Sequence, residues 1–160
     1  MGAATQILVR LALHDEAAAI AAVMQESFAE FRHLYTDGGF AATALNTEQI
    51  QARIQEGPVW IAVRDDRILG TASAMVKGET LYIRGVAALP TARGSGVGYE
   101  MLREAERFAL GKGCRRLFLT TTPFLSAAIH LYERLGFRRT EGPDDLFGTP
   151  LFAMEKDLGG

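Results

Sequence analysis

Ala88-Leu89-Pro90-Thr91-Ala92-Arg93-Gly94-Ser95-Gly96-Val97-Gly98-Tyr99 joins two stretches of opposite character. Before it, Leu81-Tyr82-Ile83-Arg84-Gly85-Val86-Ala87 is rich in β-branched and aromatic residues and reads as a strand. After it, Glu100 to Leu110 follows a helical period, with Val97, Met101, Leu102, Ala105, Phe108 and Ala109 on one face and Glu100, Arg103, Glu104 and Arg107 largely on the others. A glycine-rich turn from strand to helix leaves backbone N–H groups unpaired at the positive end of the helix, a setting suited to a phosphate or pyrophosphate. The loop alone goes no further. Gly94, Gly96 and Gly98 are spaced by two, whereas the dinucleotide fingerprint needs Gly-x-Gly-x-x-Gly, and the phosphate-binding lysine of nucleoside triphosphatases is missing. A phosphate site, a nucleotide-binding domain and a plain connector all remain consistent with it.

Upstream, residues 7–13 read as a first strand, and His14-Asp15-Glu16 supplies a cap and first-turn acids for a helix over 17–31. Arg32 to Leu45 shows no period and is punctuated as a loop by Asp37-Gly38-Gly39. Asn46-Thr47-Glu48 opens a short helix that ends near Glu56-Gly57, where Pro58 blocks continuation. Residues 59–63 and 67–76 are two strands joined at Asp65-Asp66, a hairpin signal, and Lys77-Gly78 turns into the strand before the glycine loop. Downstream, Gly111-Lys112-Gly113 stops the helix, 116–122 is a strand, Pro123 to Leu135 a helix ended by Gly136, and 137–140 and 151–155 are the last strands. The Gly142–Pro150 segment reads as a polar, turn-rich loop. Consecutive strands without helices imply antiparallel pairs, and the β-α-β over 81–122 implies a parallel pair with a right-handed crossover. The expected fold is therefore mixed α/β, with helices on both faces of the sheet.

A chain of 160 residues suits one domain over 1–160 that buries roughly 70% of its unfolded surface. With 48% hydrophobic and 22% charged residues it has the composition of a soluble globular domain. A net charge of −2 argues against nucleic acid as the main ligand. Cys114 is the only cysteine, which excludes an internal disulfide and a cysteine-based zinc cluster and fits a reducing cytoplasm. No apolar run approaches the ~20 residues that span a bilayer. Met1-Gly2-Ala3-Ala4-Thr5-Gln6 shows no secretion signal and only loosely matches a myristoylation pattern; a frayed end is the expectation.

A second constellation lies about thirty residues downstream of the loop: Ser126-Ala127-Ala128-Ile129-His130-Leu131-Tyr132-Glu133-Arg134-Leu135-Gly136-Phe137. Together, Pro90-x-x-Arg93-Gly94-x-Gly96-x-Gly98 and Ala128-Ile129-x-Leu131-Tyr132-Glu133-Arg134-Leu135-Gly136-Phe137 resemble the GCN5-related N-acetyltransferase (GNAT) family, and the order of elements resembles it over nearly the whole chain. The resemblance implies a mostly antiparallel sheet of about seven strands, with two central parallel strands splayed apart to admit the pantetheine arm of acetyl-CoA. It implies that the N–H groups of Gly94, Ser95, Gly96, Val97, Gly98 and Tyr99 meet the pyrophosphate, that Arg93 adds charge nearby, and that Val86, Ala87 and Ala88 pair with the pantetheine amides as an added strand would. It makes the Ala88 N–H the candidate to polarise the thioester carbonyl and Tyr132 the candidate acid for the departing thiolate. As a bare residue, Tyr132 also reads as a core aromatic, on one face with Leu125, Ala128 and Leu135.

Two positions depart from the family pattern. Leu125 replaces an asparagine that often reaches the pantetheine, with Ser126 the nearest polar substitute, and Thr120 occupies the place of a glutamate base used by some relatives. Glu79, Tyr82, Glu30, His33, Asp37 or an ordered water are left as candidate bases. His130 lies ~200° from Tyr132 around the helix and is expected to point away from the site. Cys114 reads as an inert buried thiol. Phe40, Tyr35 and Trp60 are candidates for an acceptor pocket, with core packing an equal reading of Trp60. The resemblance implies transfer of an acetyl group to an amine by direct attack in a ternary complex, with no metal. The alternative is a domain that binds acyl-CoA to sense or regulate. The acceptor, small molecule or protein N-terminus, is open, as are the acyl length and whether the chain forms a homodimer as many relatives do.

Overall fold

The computed structural model describes residues 6–140 and 144–159, so the Met1–Thr5 part of the amino-terminal expectation lies outside the described residues. The described residues form eight strands: β1 (Leu8–Leu11), β2 (Val59–Arg64), β3 (Arg67–Lys77), β4 (Thr80–Ala88), β5 (Arg116–Thr121), β6 (Arg138–Arg139), β7 (Asp144–Leu146) and β8 (Thr149–Asp157). They form one path in the order β1-β2-β3-β4-β5-β8-β6, with β7 hydrogen-bonded to β8 beside it. The path has the seven strands expected, and β7 is the addition. The helices are α1 (Ala17–Phe28), α2 (Asp37–Thr43), α3 (Thr47–Glu56), α4 (Val97–Gly111) and α5 (Ser126–Arg134).

Among the described residues only β4 and β5 run parallel, and they pair only from Thr80↔Arg116 to Tyr82↔Phe118. Beyond Tyr82 they part. The cause is local to β4: Thr71↔Ala87 and Ser73↔Arg84 leave Gly85 and Val86 opposite Ala72 alone. This is a bulge, which bends the strand that carries it. Gly85 takes φ +65°, a left-handed conformation that costs a residue with a Cβ about 1–2 kcal/mol.

Side chains alternate along each strand and feed two cores. Trp60 and Ala62 pack with Leu81, Ile83, Met101 and Leu117 on the α4 side. Val59 and Ile61 pack with Ile20, Met24 and Ile50 under α1 and α3. Trp60 is thus a core residue, edge-on to Phe108 at 5.6 Å, and not part of an acceptor pocket.

The Asp65-Asp66 hairpin is present, with φ +53° and +62° as a two-residue primed turn needs. Asn46 caps α3 in a reciprocal box with Gln49. Three expectations need correction. α1 stops at Phe28, and Ala29–Leu34 tightens into a 3₁₀ turn. The Asp37-Gly38-Gly39 segment is helical: Thr36 Oγ1 accepts the Gly39 N–H at 2.9 Å and caps α2. The turn-rich Gly142–Pro150 segment contains β7 and the start of β8, joined through Phe147 (φ +50°) and Gly148 (φ +91°); its residues 142 and 143 lie outside the described ones. Boundaries also shift at α5, which begins at Ser126 rather than Pro123.

Candidate active site

The glycine loop leaves β4 through a 3₁₀ turn at Pro90–Ala92 and enters α4 at Val97. Gly94 and Gly96 hold φ +81° and +91° with open space where a Cβ would stand, so conformation, not crowding, selects glycine there. Gly98 differs: a Cβ would come 2.7 Å from Leu131 Cδ2, so it lets α5 lie close to the loop. The first intrahelical bond runs from the Glu100 N–H to the Gly96 carbonyl. Among the described residues the N–H groups of Gly94, Gly96, Val97, Gly98 and Tyr99 have no backbone acceptor. Ser95 corrects the expected set, because its N–H turns back to the Ala92 carbonyl at 3.2 Å and its hydroxyl does the same.

Arg93 borders the cleft, with its charge shared by a carboxylate. Its guanidinium pairs with Glu30, donates to the Ser27 carbonyl at 3.0 Å and lies 5.6 Å over the Phe31 ring. It ties the end of α1 to the glycine loop. Glu30, a candidate base, is committed to that tie.

A cleft of about 820 Å³ opens where β4 and β5 part, within the size range of small-molecule sites. Val86, Ala87 and Ala88 form one wall, the glycine loop another, and Leu125, Ser126 and Tyr132 of the α5 region a third. The Leu89 N–H donates to the Leu69 carbonyl at 2.8 Å, which makes Gly70↔Ala88 the non-hydrogen-bonded pair of this ladder. The Ala88 N–H therefore turns away from β3, into the gap.

Tyr132 is 5% exposed and packs against Phe137, ring centroids 5.8 Å apart and planes tilted by 57°. Burial pushes its phenol far above the usual tyrosine range, and the nearby Tyr35 phenol adds to the rise. His130 lines the same cleft, against expectation. The cleft spans both flanks of α5, from Ser126 to Arg134, so an angular offset of two residues does not remove a side chain from it.

The end of the cleft near α1 is aromatic. Phe124 lies 6.2 Å from Phe31 and 4.9 Å from Tyr35, which in turn meets Phe28 and Phe40 edge-on. Phe28, Phe31 and Phe124 line the cleft and were hidden in the sequence by apolar patterns that equally describe core. Burial raises the Tyr35 phenol, opposed by the neighbouring Thr122 and Thr43 hydroxyls. Neither the Tyr35 hydroxyl nor that of Thr122 meets hydrogen-bond geometry with any partner among the described residues.

The other candidate bases are scattered. Glu79 stands at the far end of β4, with Arg115, Arg116 and Asp157, about 30 Å along the strand from Ala88. Asp37 pairs with Arg32 at 2.7 Å, and His33 is exposed in the turn after α1. Tyr82 lies on the α3 side of the splay, edge-on to Phe118 at 5.3 Å. Beside it sit Arg53 and Arg84. Burial and the adjacent Arg84 pull the Arg53 guanidinium down to about 10. Cys114 is buried in the core, remote from the cleft walls.

Comparison with known proteins agrees with this layout. The chain is 30% identical to the uncharacterized N-acetyltransferase YjgM of Escherichia coli over 141 residues, 84% of this chain and 83% of that protein. It is 26% identical to an aminoglycoside N(6')-acetyltransferase type 1 of Salmonella typhimurium over 51% of this chain and 63% of that one. In fold it is similar to the PaiA N-acetyltransferase of Thermoplasma acidophilum, solved in complex with coenzyme A, with a TM-score of 0.82, 18% identity and coverage of 96% and 99%. YncA of Salmonella typhimurium, solved with acetyl-CoA, gives a TM-score of 0.78 at 21% identity, covering 98% and 96%. The model of the acetyltransferase (GNAT) family matches residues 20–137, the span that carries the glycine loop, the splayed strands and Tyr132, and the chain belongs to that family.

Proposed function

We propose that the protein transfers the acetyl group of acetyl-CoA to an amine that attacks it directly, both reactants being held in the cleft between β4 and β5. One observation carries this reading: the free N–H groups at the start of α4, the unpaired edge of β4 and Tyr132 all border one continuous cleft. The N–H groups of Gly94, Gly96, Val97, Gly98 and Tyr99 receive the pyrophosphate, and the positive end of α4 adds to the attraction. Val86 and Ala88 pair with the pantetheine amides by strand addition, while Leu125 and Ser126 cover its other side.

The Ala88 N–H stabilises the negative charge that develops on the thioester oxygen. Tyr132 supplies a proton to the departing thiolate. Its raised pKa keeps the phenol protonated throughout the neutral range. The same desolvation raises the proton affinity of a thiolate released there, so the two groups stay matched. With Cys114 buried away from the walls, no acyl-enzyme step is invoked, and positioning two substrates in one cleft supplies much of the rate. Glu30 and Asp37 are engaged in ion pairs, Glu79 is remote, and neither His33 nor Tyr82 lines the cleft, so the amine proton passes to water. A cytoplasmic setting fits the single buried cysteine, and no helix among the described residues is long and apolar enough to cross a membrane.

The test is free-thiol release from acetyl-CoA with a panel of amines. Acceptor-dependent release is expected. Tight acetyl-CoA binding with no release from any amine overturns catalysis and leaves a sensor. Ala88→Pro removes the N–H without breaking a ladder bond, and turnover is expected to fall by about 10²-fold.

A further inference from the structure

On the α3 side of the splay, Arg53, Lys77 and Arg84 converge around Tyr82 with one carboxylate, Glu56, among them. Arg84 Nη2 donates to Glu56 Oε1 at 2.7 Å. Arg84 Nε is buried with no partner among the described residues. Arg53 Nη1 donates to Ser73 Oγ at 3.3 Å, and that hydroxyl is itself spent on the Arg84 carbonyl at 3.1 Å. Lys77 Nζ lies 5.0 Å over the Tyr82 ring. Glu155, in register with Tyr82 across Phe118, is paired with Arg116 at 3.8 Å. Lys77 and Glu56 are exposed, whereas Arg53 is half-buried and the Arg84 Nε is withdrawn from solvent. Among the described residues these two guanidiniums carry more positive charge and donors than their partners satisfy, which is costly in the withdrawn part unless an anion completes it.

The location is specific. A Cβ on Gly85 would stand 2.8 Å from Arg53 Nη1 and 3.3 Å from Met24 Cε. The guanidinium thus lies over the bulge, next to Val86, where β4 begins to border the cleft. One turn along α1 from Met24, Ser27 and Phe28 already line that cleft. From Gly85 to the Val86–Ala88 wall is about 3–10 Å along the strand.

We propose that Arg53 and Arg84 form an oxyanion subsite for the acceptor, and that the acceptor is a small molecule carrying a carboxylate close to its amine, of the amino-acid class. This rests on the acetyl-transfer reading above. A protein N-terminus has no carboxylate at that spacing, and a polycationic amine is repelled by the cluster.

Two measurements test it. Thiol release is compared for amino acids and their carboxamides, and thermal stabilisation of the CoA-loaded protein is compared for the N-acetylated forms of both. The free acids are expected to be favoured by about tenfold or more in kcat/KM, through KM, as a charge-assisted hydrogen bond implies. Arg84→Gln and Arg53→Gln are expected to abolish that preference with acetyl-CoA affinity kept, and Arg84→Lys to restore part of it. Equal use of acid and amide, or a preference that survives Arg84→Gln, overturns the subsite while acetyl transfer stands. Acid-specific stabilisation without thiol release from any amine upholds the subsite and overturns transfer.

Discussion

Tyr132 stands both in the core and at the wall of the cleft, where we propose that it acts as the acid. It is buried among the residues that hold α5 to the sheet, yet it borders the cleft. Tyr132→Phe keeps the ring and its contact with Phe137 and removes only the hydroxyl. Turnover is expected to fall by about 10²-fold with little change in acetyl-CoA affinity, checked by steady-state kinetics beside equilibrium binding. Unchanged turnover would remove the acid role. The sign of the pH dependence follows from the raised pKa. The phenol stays protonated up to and beyond its ordinary value of 10.0, so kcat should show no alkaline fall below that pH. The same shift contributes stability that is complete below pH 10.0 and is lost as pH climbs from there toward the folded-state value. A thermal-melt series across that range is expected to decline less steeply in Tyr132→Phe than in the wild type.

Elements whose signals are local were legible in the sequence. Asn46-Thr47-Glu48 marks the start of α3, where the structure adds the reciprocal bond with Gln49, and the two aspartates mark the β2–β3 turn, because each signal acts on its own stretch of backbone. α2 was not legible: Asp37-Gly38-Gly39 favours a turn by propensity, and the element is held by Thr149, 113 residues away from Thr36. The glycine loop stood out by its spacing and Tyr132 only through the resemblance of its helix to the family pattern, whereas Phe31 and Phe124 did not stand out, since an apolar side chain that lines a cleft has the same pattern as one that faces a core. Two variants probe these elements. Asp66 sits at φ +62° in the hairpin turn, so Asp66→Gly is expected to stabilise the fold by about 0.5–1 kcal/mol, read by chemical denaturation. Gly96→Ala meets no steric obstacle, so its cost is conformational, about 1–2 kcal/mol, and it is expected to weaken acetyl-CoA binding by displacing the free N–H groups. Unchanged binding would mean that those groups do not hold the coenzyme.

Across the whole molecule, two ties close the ring of elements around the cleft. Arg93 with Glu30 and the Ser27 carbonyl joins α1 to the glycine loop, on the side proposed for the coenzyme. Thr149 joins α2 to the C-terminal hairpin: its hydroxyl accepts the Thr36 N–H at 2.9 Å, while Thr36 Oγ1 donates to the Phe147 carbonyl at 2.8 Å and accepts the Gly39 N–H. Thr149 is 1% exposed, and a Cβ on Gly39 would overlap its hydroxyl, so the glycine that obscures α2 in the sequence is what lets the hairpin dock. Thr149→Val preserves the volume and strips the acceptor from a part-buried N–H, a loss of about 1–3 kcal/mol. Its effect should be asymmetric. α2 follows Tyr35 and carries Phe40, both in the aromatic cluster at the α1 end of the cleft, whereas the hydrogen bonds of this tie involve no residue of the glycine loop. The expected result is a lower melting temperature with KM for the acceptor raised and acetyl-CoA affinity kept, measured by calorimetry and two-substrate kinetics. Equal loss for both substrates would show instead that the hairpin supports the fold as a whole, with no separate part in the acceptor end.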